Sequence, residues 1–401
     1  MDALSLRETH PQKYYFKMMC RVLYYLGLGD CWYEKPKLES PYRKRTYMIC
    51  AAISNSYVLL ILFNEILAFF PPDLSEKEKN DLIQFAFAHP TIYAKIIALY
   101  LSKTRIRVVL KRLLEGTKPV FSSIALERAC ARRYVIYCIT VVGTSYMTLF
   151  ASTIEGVRAH FKEGTPFRIE VTYYPSSQTG IFVHIIRFFI EFHWWYLVTI
   201  MVTIDCLALC SLLALGTKFK LLQMYFDNLR TKFVENVERK SQEVLEEDFK
   251  KDFVVGIQLH EDALWCARNV QRALGNLYSI QVFETVSLTV MCLVKLVVSI
   301  QRNMVYLLAN FAFISCLIVL TGCYMMAAGD ITHEASLVST AMFHSGWELI
   351  RARPGMRVLM VIALQRSQVP VHMTAFQLLT LSYSNFISVL RSSYSFFAVM
   401  Y

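Results

Sequence analysis

Charged side chains are scarce in this sequence. They make up only 18% of its 401 residues, whereas soluble domains average about 25%. Glycine and proline are also few, at 14 and 11 residues, which excludes a fibrous or disordered chain. Long apolar runs recur instead, and a run of about 18 or more apolar residues is typical of a transmembrane helix. The composition therefore predicts an integral membrane protein.

Enzyme motifs are missing as well. The chain has no GxxxxGK[ST] or GxGxxG phosphate loop, no HExxH zinc motif and no GxSxG nucleophile motif. His260 and His333 each stand beside a glutamate without a second ligand at metal-binding spacing, so structural histidines are favoured over a metal site. We therefore expect no enzyme, no metal site, no cofactor and no nucleic-acid partner.

Seven apolar segments predict an all-α, polytopic membrane protein with seven transmembrane helices. The predicted spans are Thr46–Phe70, Leu82–Leu101, Tyr134–Ser152, Ile181–Leu215, Val282–Ile300, Val305–Ala328 and Val371–Met400. The corresponding division of the chain is an N-terminal segment (1–45), spans one to four (46–216) with a large outer loop (154–180), a helical anchor segment (217–281), spans five and six (282–328), a second helical segment (329–370) and a pore-lining span seven (371–401).

Basic residues lie mostly on one side of these spans. Of the 42 Lys and Arg residues, 32 fall in the N-terminal segment and in the loops after spans two, four and six, and only six fall on the other side. Because basic loops stay in the cytoplasm, the N-terminus is predicted to be cytoplasmic and the C-terminus extracellular. A G-protein-coupled receptor has the opposite orientation. All 11 cysteines lie in spans or on the predicted cytoplasmic side, which excludes a disulfide between outer loops.

Span seven carries a row of polar residues. At intervals of three or four they share one face of an α-helix: Gln377, Thr380, Ser384, Ser388, Arg391 and Ser395. Tight packing of membrane helices is one explanation. Six positions in register favour instead a water-lined path enclosed by several copies of the helix. The predicted pore-lining residues are Ser384, Ser388, Arg391, Ser395, Ala398 and Tyr401, with an apolar gate at the last two.

Aromatic residues are concentrated in the outer halves of spans two to six. Apolar pockets with a few polar groups bind small organic ligands, although ordinary bundle core or lipid contact is the alternative for each residue. The candidate ligand-binding residues are Phe85, His89, Tyr146, Met147, Phe150, Phe188, Phe192, Trp195, Tyr306 and Phe311. Glu65, Lys95 and Lys295 lie near predicted span ends, where we expect their charged groups to snorkel toward water.

The anchor segment is charged but has apolar residues at helical spacing between Phe249 and Leu277. Such a stripe must be buried against other cytoplasmic helices or against a neighbouring subunit. We expect it to form a subunit interface together with the helix around Trp347. The predicted anchor residues are Phe253, His260, Leu264 and Trp347.

The C-terminal third resembles the signature of insect odorant receptors. The matching pieces are Trp347, Arg366-Ser367-Gln368 with Pro370, Thr374-Ala375-Phe376 and Tyr394-Ser395-Phe396, and His260 in GIQLHEDAL resembles a further recurring position. The chain lacks the long acidic insert of the family's shared co-receptor, so it resembles a variable odorant-tuning subunit.

The resemblance implies a function. Family subunits form tetrameric, odorant-gated, non-selective cation channels with the co-receptor, in the plasma membrane of olfactory sensory neuron dendrites. The last span lines the pore, and cytoplasmic helices anchor the subunits to one another. The expected ligand is a small volatile molecule, with membrane lipid around the spans. An inverted seven-span receptor that signals through intracellular proteins, without a pore of its own, is the alternative.

Overall fold

The described chain is almost entirely helical. The computed structural model describes residues 7–34, 41–70, 76–163, 180–299, 304–350 and 354–400. Its helices are α1 (Pro11–Tyr25), α2 (Pro41–Leu67), α3 (Glu76–Glu115), α4 (Ile124–Glu163), α5 (Ile181–Asn236), α6 (Gln242–Ser299), α7 (Met304–Phe343), α8 (Pro354–Ser367) and α9 (Tyr383–Met400). An antiparallel hairpin of β1 (Thr374–Ala375) and β2 (Leu379–Thr380) lies between α8 and α9.

Six helices, α2 to α7, are long and apolar enough to cross a membrane. Each overlaps one of the first six predicted spans, although α2 ends three residues before the predicted Phe70, and α5 begins at Ile181 as predicted. Within the described residues α9 is not among them, because its serines and Arg391 lower its hydropathy. The seventh span and the two terminal orientations therefore stay predictions. Of the predicted outer loop, residues 154–163 belong to α4 and residues 164–179 lie outside the described ranges.

Helices α5 and α6 are much longer than a membrane is thick. With 56 and 58 residues they extend about 84 and 87 Å at 1.5 Å per residue, against an apolar membrane core of about 30 Å. Their ends beyond the predicted spans pack together with α1, α8 and the neighbouring ends of α3, α4 and α7. We call this part of the molecule the basal bundle. Asp262 of α6 holds it together by pairing with Arg112 and, at 2.6 Å, with Lys218.

One lysine fixes α1 to the basal bundle. The Nζ atom of Lys13 lies 2.5 Å from Glu34 and 2.8 Å from Glu115 of α3. Burial alone would lower the pKa of Lys13, but its hydrogen bonds to Glu115 and Glu34 outweigh burial and raise that pKa. Lys13 is therefore charged at neutral pH and holds both carboxylates.

The anchor stripe is buried inside the single chain. Phe253, His260 and Leu264 are 0%, 3% and 9% exposed, and the Phe253 ring packs at 5.7 Å from Phe226 of α5. The expectation that these three residues face another subunit is therefore wrong, because α5 and its neighbours already cover them. Trp347 is only half-buried, in a 3₁₀ turn (Trp347–Leu349), and its interface role stays a prediction.

The predicted helix from Val371 is wrong over its first 12 residues, because the hairpin and the short segments beside it occupy them and α9 begins only at Tyr383. Phe376 and Gln377 have φ of 55° and 60°, which are left-handed values, and the Leu378 amide donates to the Ala375 carbonyl to close a β-turn centred on these two residues. Helix α6, which is distant in the sequence, holds this turn by hydrogen bonds. Gln271 makes two hydrogen bonds, of 2.9 and 3.0 Å, to the backbone of Thr374.

Candidate functional site

The predicted pore-lining residues lie on the face of α9 that points away from the rest of the chain. Their described members are all exposed: Ser384, Ser388, Arg391, Ser395 and Ala398. Val389 and Ser393, on the opposite face, are only 5% and 1% exposed, on the side where α9 packs against α6 and α7. Gln377 and Thr380 do not belong to this face, since they lie in the hairpin, and Tyr401 lies outside the described residues. The single chain therefore leaves the polar face of α9 uncovered.

Two glycines of α7 let α9 approach closely. A Cβ atom on Gly329 would lie 2.8 Å from the ring of Tyr383, and one on Gly322 would lie 3.3 Å from the ring of Phe386. The Tyr383 hydroxyl donates to Asp330, which also pairs with an arginine of α4. The first turns of α9 are thus held against α7 and, through Asp330, linked to α4.

The ten candidate ligand-binding residues do not form a single cluster. Five have more than half of their surface exposed, where lipid would contact them: Met147, Phe150, Phe188, Phe192 and Phe311. The other five are buried or half-buried: Phe85, His89, Tyr146, Trp195 and Tyr306. Only the second group can line a site inside the bundle.

Two of the inner residues meet where α4 packs against α5. The ring centroids of Tyr146 and Trp195 are 6.0 Å apart. The Tyr146 hydroxyl lies 2.6 Å from the hydroxyl of Thr199, one turn further along α5. This junction combines aromatic surface with a hydroxyl pair, which is the composition of a small-molecule site.

His89 belongs to a polar and aromatic cluster between α2, α3 and α5. Its Nδ1 atom contacts Glu65 of α2, and its ring lies 4.5 Å from Trp194 and 6.0 Å from Phe85. Glu65 is 3% exposed, so its expected snorkelling is wrong: the carboxyl group lies against His89 inside the bundle instead. The sequence reasoning missed Trp194 and its neighbour His193, although the triplet His193-Trp194-Trp195 within a span was an available signal.

A lysine is fully buried where four of the helices that could cross a membrane meet. Lys95 of α3 lies 3.1 Å from Asp205 of α5 and 2.8 Å from Glu284 of α6, and donates to Gln281 at 2.5 Å. The Tyr324 hydroxyl of α7 donates to Asp205 at 2.9 Å. The expected snorkelling of Lys95 is wrong because two carboxylates satisfy its charge in place.

Lys295 is the third residue expected to snorkel, and this expectation is wrong too. It is 4% exposed, donates to Gln84 of α3, and lies 5.8 Å from the centre of the Phe85 ring. The sequence reasoning also overlooked Glu284, although an ionisable residue at the start of the predicted fifth span is a recognisable signal.

Comparison with known proteins identifies a family and a fold. A sequence model of the 7tm odorant receptor family matches residues 77–394, which is most of the chain. Two structures of the insect olfactory receptor OR5 from Machilis hrabei are similar, one in complex with eugenol at a TM-score of 0.71 and one at 0.72. Each is 12% identical to this chain, and each comparison covers 100% of this chain and 99% of the other. No curated protein sequence matches.

Proposed function

Because this chain belongs to the 7tm odorant receptor family, as its C-terminal residues predicted, we propose that it is the odorant-tuning subunit of a ligand-gated, non-selective cation channel. The observation that carries the channel proposal is the uncovered face of α9. Arg391 and a row of serines exposed along a predicted membrane helix fit water or polar partners better than lipid, which offers no hydrogen bonds. Several copies of α9 around one axis would enclose such a water-filled path.

The proposed ligand is a small volatile organic molecule. One of the similar solved receptors holds eugenol, which is a molecule of this class, although the low identity transfers only the fold. In this chain the buried aromatic residues between α2, α3, α4 and α5 provide the matching surface. The exposed aromatic residues of the same helices are left to contact lipid.

The proposed partner is the shared co-receptor, in a tetramer of the plasma membrane of olfactory neuron dendrites. The connection between α5 and α6 supports the assignment as the tuning subunit. Only residues 237–241 separate the two helices. The long acidic insert expected of a co-receptor in this region is therefore missing, and a tuning subunit depends on a partner for the complete channel.

The test is an electrical recording from excised patches. Cells that co-express this chain with a family co-receptor should give odorant-evoked cation current within milliseconds, in a bath without nucleotides. Cells with the co-receptor alone should not respond to the same odorant. A response that disappears on excision and returns only with cytosol and GTP would contradict the channel and support a receptor that signals through intracellular proteins.

A further inference from the structure

Two thiols meet where α4 packs against α5. The Sγ atoms of Cys138 and Cys210 lie 3.6 Å apart, although 72 residues separate them in the chain. Cys206, one turn before Cys210 on α5, hydrogen-bonds to Cys138 as well. Cys210 is 0% exposed, whereas Cys138 is half-buried and keeps part of its surface accessible. A single buried thiol is usually a small apolar residue, but two thiols that face each other across a helix pair can also react with each other.

Two further polar contacts hold the thiol pair in register. On one side the hydroxyl groups of Tyr146 and Thr199 lie 2.6 Å apart, and on the other the Thr217 hydroxyl donates to the Sγ atom of Cys130 at 2.9 Å. Along α4 the three contacts follow one another at equal intervals of eight residues, while the partners on α5 run in the opposite direction. The thiol pair is therefore the middle contact of an antiparallel helix pair that is held on both sides.

The separation of the two sulfur atoms is close to that required for a bond. A disulfide bond is about 2.05 Å long, so the sulfurs must approach each other by about 1.5 Å, which is the size of a change in side-chain torsions rather than of a helix rearrangement. Both cysteines lie about one turn inside the predicted inner ends of their spans, at Tyr134 and Leu215. Reductants of the cytosol keep such thiols reduced at rest.

We propose that Cys138 and Cys210 are an oxidisable pair, which forms a disulfide between α4 and α5 when a small neutral peroxide such as hydrogen peroxide enters the bundle. Cys138, the more accessible thiol, reacts first: the O–O bond breaks, one oxygen joins its sulfur as a sulfenic acid, and the other leaves as water with the thiol proton. The sulfur of Cys210 then attacks that sulfur, so that the S–S bond forms, the S–O bond breaks and a second water leaves. The two thiols lose two electrons, and the peroxide gains them.

The product is a reversible cross-link between two helices. It restricts the movement of α4 against α5, including at the junction of Tyr146 with Trp195, two turns further along α4. A cross-link also stabilises the fold by restricting the unfolded chain. A thiol reductant reverses the reaction by thiol–disulfide exchange. The chemistry does not depend on whether the chain forms a channel.

The test maps the disulfide in the full chain. Membranes from cells that express the chain are treated with hydrogen peroxide, free thiols are blocked with N-ethylmaleimide, and the solubilised protein is digested with trypsin. Cleavage after Lys and Arg releases residues 134–158, which contain Cys138, and residues 188–218, which contain Cys206 and Cys210. Mass spectrometry should find these two peptides linked, several-fold more often than in untreated membranes, and dithiothreitol should separate them.

Three serine variants identify the reacting thiols. Cys138→Ser and Cys210→Ser should each abolish the linked peptides, whereas Cys206→Ser, which changes a buried thiol one turn away on the same helix, should keep them. The melting temperature gives a second readout. Peroxide should raise it for the parent and for Cys206→Ser, and should leave it unchanged for Cys210→Ser.

Two outcomes would overturn the proposal. Linked peptides that survive Cys210→Ser but disappear in Cys206→Ser would show that the pairing is wrong. Absence of the linked peptides from the treated parent, when the exposed Cys50 is oxidised in the same sample, would show that the two thiols serve packing alone. Because both outcomes are read in the parent or in a variant with a single atom changed, neither depends on odorant or co-receptor.

Discussion

Lys95 carries a positive charge into a part of the bundle from which solvent is excluded. At 0% exposure it is held between Asp205 and Glu284, so that removing the lysine would leave two carboxylates facing each other without a counter-charge. Breaking a buried ion pair on one side is much more costly than replacing all its members by neutral residues of similar size. Lys95 therefore contributes to stability by pairing with carboxylates that lie on other helices.

We expect Lys95→Met to destabilise the chain by about 3–5 kcal/mol, as for other buried pairs that lose one partner. Melting of the detergent-purified protein, followed by fluorescence-detected size exclusion, measures the effect. Lys95→Met combined with Asp205→Asn and Glu284→Gln should recover much of the loss. Lys111→Met is the matched control, because Lys111 lies on the same helix α3 and is exposed. If Lys95→Met alone is as stable as Lys111→Met, the ion network contributes little to the stability of the chain.

Gly329 provides space that a methyl group would fill. Because a Cβ atom there would lie 2.8–3.1 Å from three atoms of the Tyr383 ring, Gly329→Ala must displace that ring and the start of α9. Overpacking of this kind costs about 1–3 kcal/mol. We expect a lower melting temperature and an altered odorant sensitivity. Gly143→Ala, in α4, is the control, because nothing lies within 4 Å of its Cβ position. Equal melting temperatures for both variants would contradict the close contact.

At the scale of elements, the hairpin before α9 adopts a turn that its residues disfavour. Two consecutive left-handed residues are usually asparagine and glycine, whereas here they are Phe376 and Gln377. The surrounding contacts hold the turn: the Phe376 amide donates to Ser279 at 2.7 Å, and Leu381 donates to the Met373 carbonyl at 2.8 Å. Both contacts are made to the backbone, so they would survive a change of the two side chains.

Replacing Phe376-Gln377 by Asn-Gly should therefore stabilise the chain. The left-handed conformation costs about 1–2 kcal/mol per ordinary residue, and most of that strain would be relieved. A raised melting temperature of the double variant is the expected result. Phe376→Pro should do the opposite, because proline cannot adopt positive φ and would lose the hydrogen bond to Ser279. A double variant that melts below the parent would mean that the two side chains themselves hold the turn.

The elements that could be predicted are those with a local signal. Apolar runs located the six helices α2 to α7, and α7 begins at Met304 where Val305 was expected. The hairpin could not be predicted, because polar residues continue through Gln377 and Thr380 at the spacing of a helix. Contacts from α6, which the local sequence does not show, hold the hairpin in place of the helix there. The ion network of Lys95 could not be predicted either, because its members are far apart in the sequence: Lys95 and Asp205 are separated by 110 residues.

At the scale of the whole molecule, the single chain leaves an apolar surface exposed on its basal bundle. Val358, Val361 and Ile362 of α8 are 59%, 54% and 58% exposed and lie on one helical face. Unlike the exposed residues of α2 to α7, those of α8 do not belong to a helix that could cross a membrane. A contiguous apolar surface in water indicates a protein partner. We therefore propose α8, rather than the Phe253 stripe, as a subunit contact.

We expect Val358→Glu with Ile362→Glu to abolish co-purification with the co-receptor while the chain itself remains folded. The two carboxylates would be buried without partners at the contact, which costs several kcal/mol. Val234→Glu is the control, because Val234 is 56% exposed on α5, elsewhere in the basal bundle. Co-purification of the double variant at the parental yield, with Val234→Glu behaving the same, would exclude α8 from the interface.

The face of α9 should become accessible to water when an odorant opens the channel. Ser395→Cys and Ala398→Cys, on the exposed face, should react with a water-soluble thiol reagent mainly when odorant is present, because the proposed apolar gate would exclude water at rest. Ser393→Cys, only 1% exposed on the opposite face, should stay protected in both states. A Cys50→Ser background removes the one native cysteine that is exposed in the described chain. Equal modification of all three positions would reject a pore lined by this face, whereas modification of the first two without odorant would move the gate to a position deeper in the channel.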